Sequence, residues 1–238
     1  MTFLILQAGE PVTPLRRHGG FPHWIRVAAG LDADDTVAVD ITAEPAPSAE
    51  GFAGALVTGS AAMVSHRLDW SEHAAGWLKD AVAGGLPVFG ICFGHQLLAH
   101  ALGGRVDDHP QGREMGTIAV EALPAAADDP LFAGVPRAFA AHATHLQTVL
   151  EPPPGAVVLA RSAHDACQAF RHGDSAWGVQ FHPEFSAAHM RGYVHARSDA
   201  LVAEGHDPRG MSRTISATPH ARRLMRRFVA FARSRQSG

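Results

Sequence analysis

Leu86-Pro87-Val88-Phe89-Gly90-Ile91-Cys92-Phe93-Gly94-His95-Gln96-Leu97-Leu98-Ala99-His100-Ala101-Leu102-Gly103-Gly104 reads as a strand, a tight turn and a helix. The apolar run Leu86–Phe89 has the character of a buried strand, and Gln96–Leu102 that of a helix stopped by the paired glycines. Cys92 stands on the turn between them, flanked by Gly90 and Gly94. This is the strand–turn–helix setting of a nucleophile elbow, with sulfur in place of a hydroxyl. Small neighbours are needed because such a turn forces the nucleophile into an uncommon backbone conformation. The helix start brings positive partial charge to the sulfur and favours thiolate, the reactive form.

Upstream, apolar and helical stretches alternate. Strands are predicted at Thr2–Gln7, Thr36–Ile41 and Gly54–Thr58, and helices at Phe21–Ala29 and Ser71–Ala83, the latter N-capped by Asp69 or Ser71. Alternation of this kind over residues 1–103 points to a parallel sheet covered on both faces. The second half changes character. Gly116–Glu121, Ala138–Ala141, Val157–Arg161, Ala166–Phe170 and Ser175–Gln180 are short strand candidates divided by Pro, Gly and Asp, suggesting an antiparallel patch. Ala187–Ala203 reads as one helix, and Thr218-Pro219 opens a last helix to about Arg233. The expected fold is therefore a three-layer α/β sandwich with a flavodoxin-like, mostly parallel sheet. Residues 1–238 are expected to form a single domain with a helical extension from about 186.

A thiolate needs a base. Gly178-Val179-Gln180-Phe181-His182-Pro183-Glu184 supplies a candidate far downstream. In extended backbone, side chains at i and i+2 point the same way, so His182 and Glu184 can share a face. A carboxylate beside an imidazole holds its tautomer and stabilises the imidazolium. Cys92, His182 and Glu184 thus make a candidate nucleophile, base and orienter. The chain has 16 His and 2 Cys. Cys167, in a strand with no helix behind it, reads as structural. His142 and His145 lack the company of ligands at metal spacing, so no metal and no cofactor are expected.

Composition narrows the class. The 238 residues are 46% hydrophobic and 18% charged, with a formal net charge of −3. That is globular and argues against nucleic acid or an anionic membrane as partner. Two cysteines, and no leader or long apolar run at the N-terminus, suggest a cytoplasmic protein. The run Arg222, Arg223, Arg226 and Arg227 alternates with Leu224, Met225 and Phe228, as expected of a solvated face over a packed stripe.

On Gly90–Gln96, Phe181-His182-Pro183-Glu184-Phe185 and the weaker Ala55-Leu56-Val57-Thr58-Gly59-Ser60, the chain resembles the class I glutamine amidotransferases, within them the GMP-synthase-like branch. The resemblance covers roughly residues 1–185. It implies hydrolysis of a γ-glutamyl amide, glutamine above all, through a Cys92 thioester. It also implies an oxyanion hole from the backbone N–H groups of Phe93 and Ser60, with Gly59 beside it. Gln96, Thr144, His145 and Glu114 are then the expected substrate contacts. Thr144-His145-Leu146-Gln147 departs from the branch's Ser-His-x-Asp at Gln147. The chain shows no Ser-Gly-Gly-x-Asp-Ser loop of a synthase. The expectation is a hydrolase acting on its own, with an ammonia donor to a separate synthase, or a silent binding module, as alternatives.

Overall fold

The computed structural model describes residues 1–235. Its strands are β1 (Thr2–Gln7), β2 (Thr36–Asp40), β3 (Phe52–Val57), β4 (Val88–Ile91), β5 (Arg105–Asp108), β6 (Glu114–Ala122), β7 (Ala138–His145), β8 (Gln147–Glu151), β9 (Val157–Ser162), β10 (Ala169–His172) and β11 (Ala176–Val179). Its helices are α1 (Phe21–Ala29), α2 (Asp69–Ala83), α3 (Phe93–Ala101), α4 (Ala187–Ala196), α5 (Ser198–Ala203), α6 (Pro208–Thr214) and α7 (Pro219–Arg235). One large sheet runs in the order β2-β1-β3-β4-β11-β10-β9-β6-β7, and β5 with β8 forms a second, two-stranded antiparallel sheet. The first five strands of the large sheet are parallel and the rest antiparallel.

Strand alternation builds the three layers. In β1, Phe3 and Ile5 point to the face covered by α1 and α7, where Ile25, Ala28, Leu224, Met225 and Phe228 close the layer. Leu4 and Leu6 point to the other face, packed by Ala74, Ala75 and Leu78 of α2 and Leu97 and Leu98 of α3. Each such large side chain contributes about 1.5–3 kcal/mol on burial, so this double cover dominates the stability. A satellite cluster of Leu15, Phe21, Trp24, Phe185, Met190, Tyr193 and Leu201 ties α4 and α5 to the front of the sheet.

Several expectations change. The sequence pattern puts Ser175–Gln180 in the antiparallel patch, yet β11 pairs parallel with β4, Val179 opposite Ile91. β11 therefore sits mid-sheet, buried on both faces, and its continuous buried run fits that position. The antiparallel strands extend the main sheet instead of lying beside it. β5 and β8 escape sequence reading because Arg105-Val106-Asp107-Asp108 is polar and β8 follows β7 after the single residue Leu146. Neither Asp69 nor Ser71 caps α2. Leu68 is the N-cap, and the Ser71 hydroxyl donates back to its carbonyl at 2.7 Å. The expected helix Ala187–Ala203 breaks at Arg197. Helix α7 does start at Pro219, and its stripe Leu224, Met225 and Phe228 is buried while its arginines lie on the outer side.

Candidate active site

Cys92 and His182 meet because their strands are neighbours. Both residues follow the carboxyl ends of adjacent parallel strands, β4 and β11, and the Cys92 backbone N–H donates to Val179 O at 2.8 Å. Cys92 has φ 51 and ψ −101, a positive-φ backbone that a side chain adopts only under constraint. The flanking glycines make the turn sterically feasible. A Cβ on Gly90 would collide with the Gly94 carbonyl, and one on Gly94 would lie 2.6 Å from Val57 O. Helix α3 begins at Phe93, immediately behind the sulfur, so its first N–H groups lack intrahelical acceptors.

His182 is almost fully buried, 3% exposed, and stacks on Phe185 with ring centroids 4.1 Å apart. Its Nδ1 donates to Glu184 Oε1 at 2.8 Å. Nε2 has no oxygen or nitrogen partner and lies within interaction range of Cys92. Burial alone would push the imidazole pKa down. The Glu184 carboxylate and the Cys92 sulfur outweigh burial and raise it to about 10. Gly59 makes room for this ring, since a Cβ there would stand 2.9 Å from His182 Cε1.

The sulfur opens into a cavity of about 400 Å³ lined by Cys92, His182, Ser60, Thr144, Arg16 and Arg197, among others. The Thr144 carbonyl lies 4.0 Å from Cys92 Sγ. The Ser60 N–H donates to no other described residue.

The remaining expected substrate contacts stand elsewhere. Gln96 is 4% exposed, and its amide donates to Gln147 O at 2.7 Å and Gln180 Oε1 at 2.9 Å. His145 bridges Gln147 O at 2.9 Å and Glu114 Oε2 at 2.9 Å. Glu114 also accepts from Ser162 Oγ at 2.6 Å and Gln168 Nε2 at 2.5 Å. None of the three lines the Cys92 cavity. The Gln147 amide donates to Ser65 Oγ and Asp108 Oδ1, pinning β8 to β5. Glu114, His145 and Asp165 bring ligand-type atoms within 4.8 Å of one another. Their atoms are already engaged, Asp165 accepting from Thr148 Oγ1 at 2.6 Å and Cys167 N at 2.8 Å, so the cluster is a hydrogen-bond network. Burial pushes the Cys167 thiol up, as suits a structural cysteine.

Sequence reading missed Arg16, Tyr193 and Arg197 in the cavity wall. Arg16 sits in a 3-10 turn between β1 and α1, and Arg197 at a helix break, so neither carries a pattern that marks it.

The sequence profile described as Glutamine amidotransferase class-I matches residues 33–197. A glutamine-hydrolyzing GMP synthase subunit from Methanopyrus kandleri is 32% identical over 171 residues, covering 70% of this chain and 85% of that protein. The glutamine-hydrolyzing GMP synthase of Thermomicrobium roseum is 50% identical over 100 residues, but the match spans 42% of this chain and 18% of that longer protein. Among solved structures, a glutamine amido transferase from Methylobacillus flagellatus superposes with a TM-score of 0.78 at 25% identity, covering 96% of this chain and 94% of that one. A glutamine amidotransferase from Thermotoga maritima shares the fold, with a TM-score of 0.77 at 22% identity and 97% of each chain covered. The chain belongs to the class I glutamine amidotransferase family.

Proposed function

We propose that the protein hydrolyses the γ-glutamyl amide of glutamine or a related compound, with Cys92 as nucleophile, His182 as acid–base and Glu184 as its orienter. The observation that carries this reading is a cysteine strained to φ 51 beside a histidine raised to about 10. An imidazolium next to sulfur favours the thiolate, which attacks the amide carbon; the C–S bond forms and the π electrons move to oxygen. The oxyanion is held by the N–H groups of Phe93 and Ser60. As it collapses, the C–N bond breaks and the His182 proton passes to the leaving amine. Water then gives its proton to His182 and its oxygen to the thioester carbon, releasing glutamate. The proton on His182 balances the returning thiolate.

Thr144 and Ser60 are proposed to border the amide in the cavity. Gln96, His145 and Glu114, which the family resemblance implied as contacts, are better read as supports that hold the wall in place. A second reading has one specific support. Several relatives are named as subunits of GMP synthase, so the chain would pass ammonia to a synthase partner. Assaying purified protein for glutamate and ammonia from glutamine, with a Cys92→Ser control, tests the hydrolytic reading. No release above the control, followed by release on adding a co-purifying ATP-dependent synthase, moves the assignment to the second.

A further inference from the structure

The segment after Pro183-Glu184 does more than cover the sheet, because it walls the Cys92 cavity. Tyr193, Ala196 and Arg197 all line it. The route from the acid–base to this wall is a stack of rings. His182 lies on Phe185 at 4.1 Å, Phe185 on Tyr193 at 4.8 Å, and the Arg197 guanidinium carbon stands 6.0 Å from the Tyr193 ring. Arg197 and His182 are thus joined by one run of packed rings along the cavity wall. In the proposed mechanism the amine part of the substrate leaves towards His182, which protonates it.

Beyond its contact with the Tyr193 ring, Arg197 has no partner for its side chain, hydrogen-bonded or ion-paired, among the described residues. It occupies the junction where α4 ends and α5 begins, with φ −108 and ψ 12. Its Nε is buried and donates to no protein acceptor. No carboxylate among the described residues forms an ion pair with it. Burial and the neighbouring Arg113 lower its pKa, whereas Arg113 itself is engaged by Glu204 at 2.8 and 2.9 Å. An unpaired guanidinium in a partly dry wall awaits an anion. Arg16 lines the same cavity, its Nε given to Pro11 O at 3.0 Å.

Charge bookkeeping separates the substrate classes. Apart from Cys92 and His182, the charged groups lining the cavity are Arg16, Arg197 and Glu10. The amino-acid head of glutamine carries one carboxylate and one ammonium, for which one arginine and Glu10, whose Oε1 accepts from Gln7 Nε2, are charge enough. One guanidinium is left over, and free ammonia gives it nothing to bind. A γ-glutamyl amino acid or peptide brings a second carboxylate on its amine part. The cavity, at about 400 Å³, lies in the range of roughly 300–1,000 Å³ that encloses ligands larger than a single amino acid.

We infer that Arg197, on the His182 side of the cavity, binds a carboxylate on the amine part of the substrate, so that γ-glutamyl amino acids or peptides are preferred over glutamine. This rests on the hydrolytic reading above. The test compares γ-L-glutamyl-glycine, γ-L-glutamyl-glycinamide and L-glutamine on the purified chain. The first two differ only in the carboxylate. A charge-assisted contact makes kcat/KM for γ-glutamyl-glycine on the order of 10–100-fold above that for the glycinamide. Arg197→Gln brings that ratio close to one, and Arg197→Lys restores part of it. A wild-type ratio near one overturns the inference and leaves the hydrolase intact. A ratio that survives in Arg197→Gln places the carboxylate elsewhere and also overturns it. Absence of turnover on all three compounds removes the hydrolytic reading itself, and the inference with it.

Discussion

Two buried carboxylates, one in each half of the sheet, are met differently by their surroundings. At the carboxyl ends of β4 and β11, polar atoms are left unspent. His182 Nε2 and Glu184 Oε2 are buried without hydrogen bonds, and Cys92 sits in a strained conformation. In the antiparallel half, Glu114 alone accepts from His145, Ser162 and Gln168. An unmet buried polar atom costs about 1–3 kcal/mol, so such a set persists only where the surrounding structure enforces it. Around Glu114 both carboxylate oxygens are met, although Gln168 Oε1 and His142 Nε2 in the same half stay without partners.

The largest expected effect falls on the two cysteines. Cys92→Ala lowers kcat on the order of 10⁴–10⁶-fold and abolishes covalent labelling by a glutamine-mimicking electrophile. Cys167→Ala keeps the labelling. Equal labelling of both variants, read by intact mass, would erase the distinction between the halves.

His182→Ala is expected to cost about 10²–10⁴-fold in kcat/KM, and Glu184→Ala less, because in the proposed mechanism one moves the proton and the other orients it. A comparable loss in His142→Ala would show that the wrong histidine was assigned. Glu114→Ala should act on stability first. It leaves three donors unmet, a loss on the order of 3 kcal/mol, and each kcal/mol lowers Tm by roughly 2–4 °C in a chain of this size. Cys92 labelling at low temperature should survive in the same variant. If labelling vanishes while Tm holds, Glu114 belongs to the site and not to its support.

The smallest effect is on pH dependence, and the sign differs between neighbouring histidines. The backbone N–H of His182 donates to His142 O at 2.7 Å, which brings the two residues side by side. Burial and the charge of His182 hold the His142 imidazole down at about 4. His142 is neutral when folded and protonates more readily when unfolded. Its contribution is present above the ordinary histidine range near 6.5 and is lost as pH falls towards 4. His182 is raised, so its contribution is full below about 6.5 and is lost as pH rises through about 10. Thermal melts across pH should show shoulders at both ends. Burial holds His95 at about 4 too, so His142→Asn should shrink the acid shoulder without removing it and leave the alkaline side alone; an unchanged acid side would assign that shoulder elsewhere.

Much of the fold was legible locally. Thr2–Gln7 and Phe21–Ala29 announced themselves by apolar period and flanking glycine, and both match β1 and α1 in extent. β5 and β8 stayed hidden because two-stranded pairing at a polar edge is set by the partner strand, not by propensity. The Arg197 break was equally hidden, since no proline or glycine marks it.

Sequence alone determined the elbow turn, because Gly90 and Cys92 meet steric demands made within a few residues of chain, whereas Gly94 makes room for Val57 O on the neighbouring strand. It also paired His182 with Glu184, whose two-residue spacing needs only extended backbone. Tertiary structure decided what those elements face. Only the parallel pairing of β4 with β11 brings Cys92 to His182. Only the fold brings Arg197 to the cavity wall beside Tyr193, which packs on Phe185. Only the pairing of β6 with β7 carries His145 to Glu114 and away from the cavity. Such contacts depend on segments far apart in the chain, and side-chain burial, not local pattern, sets their energies.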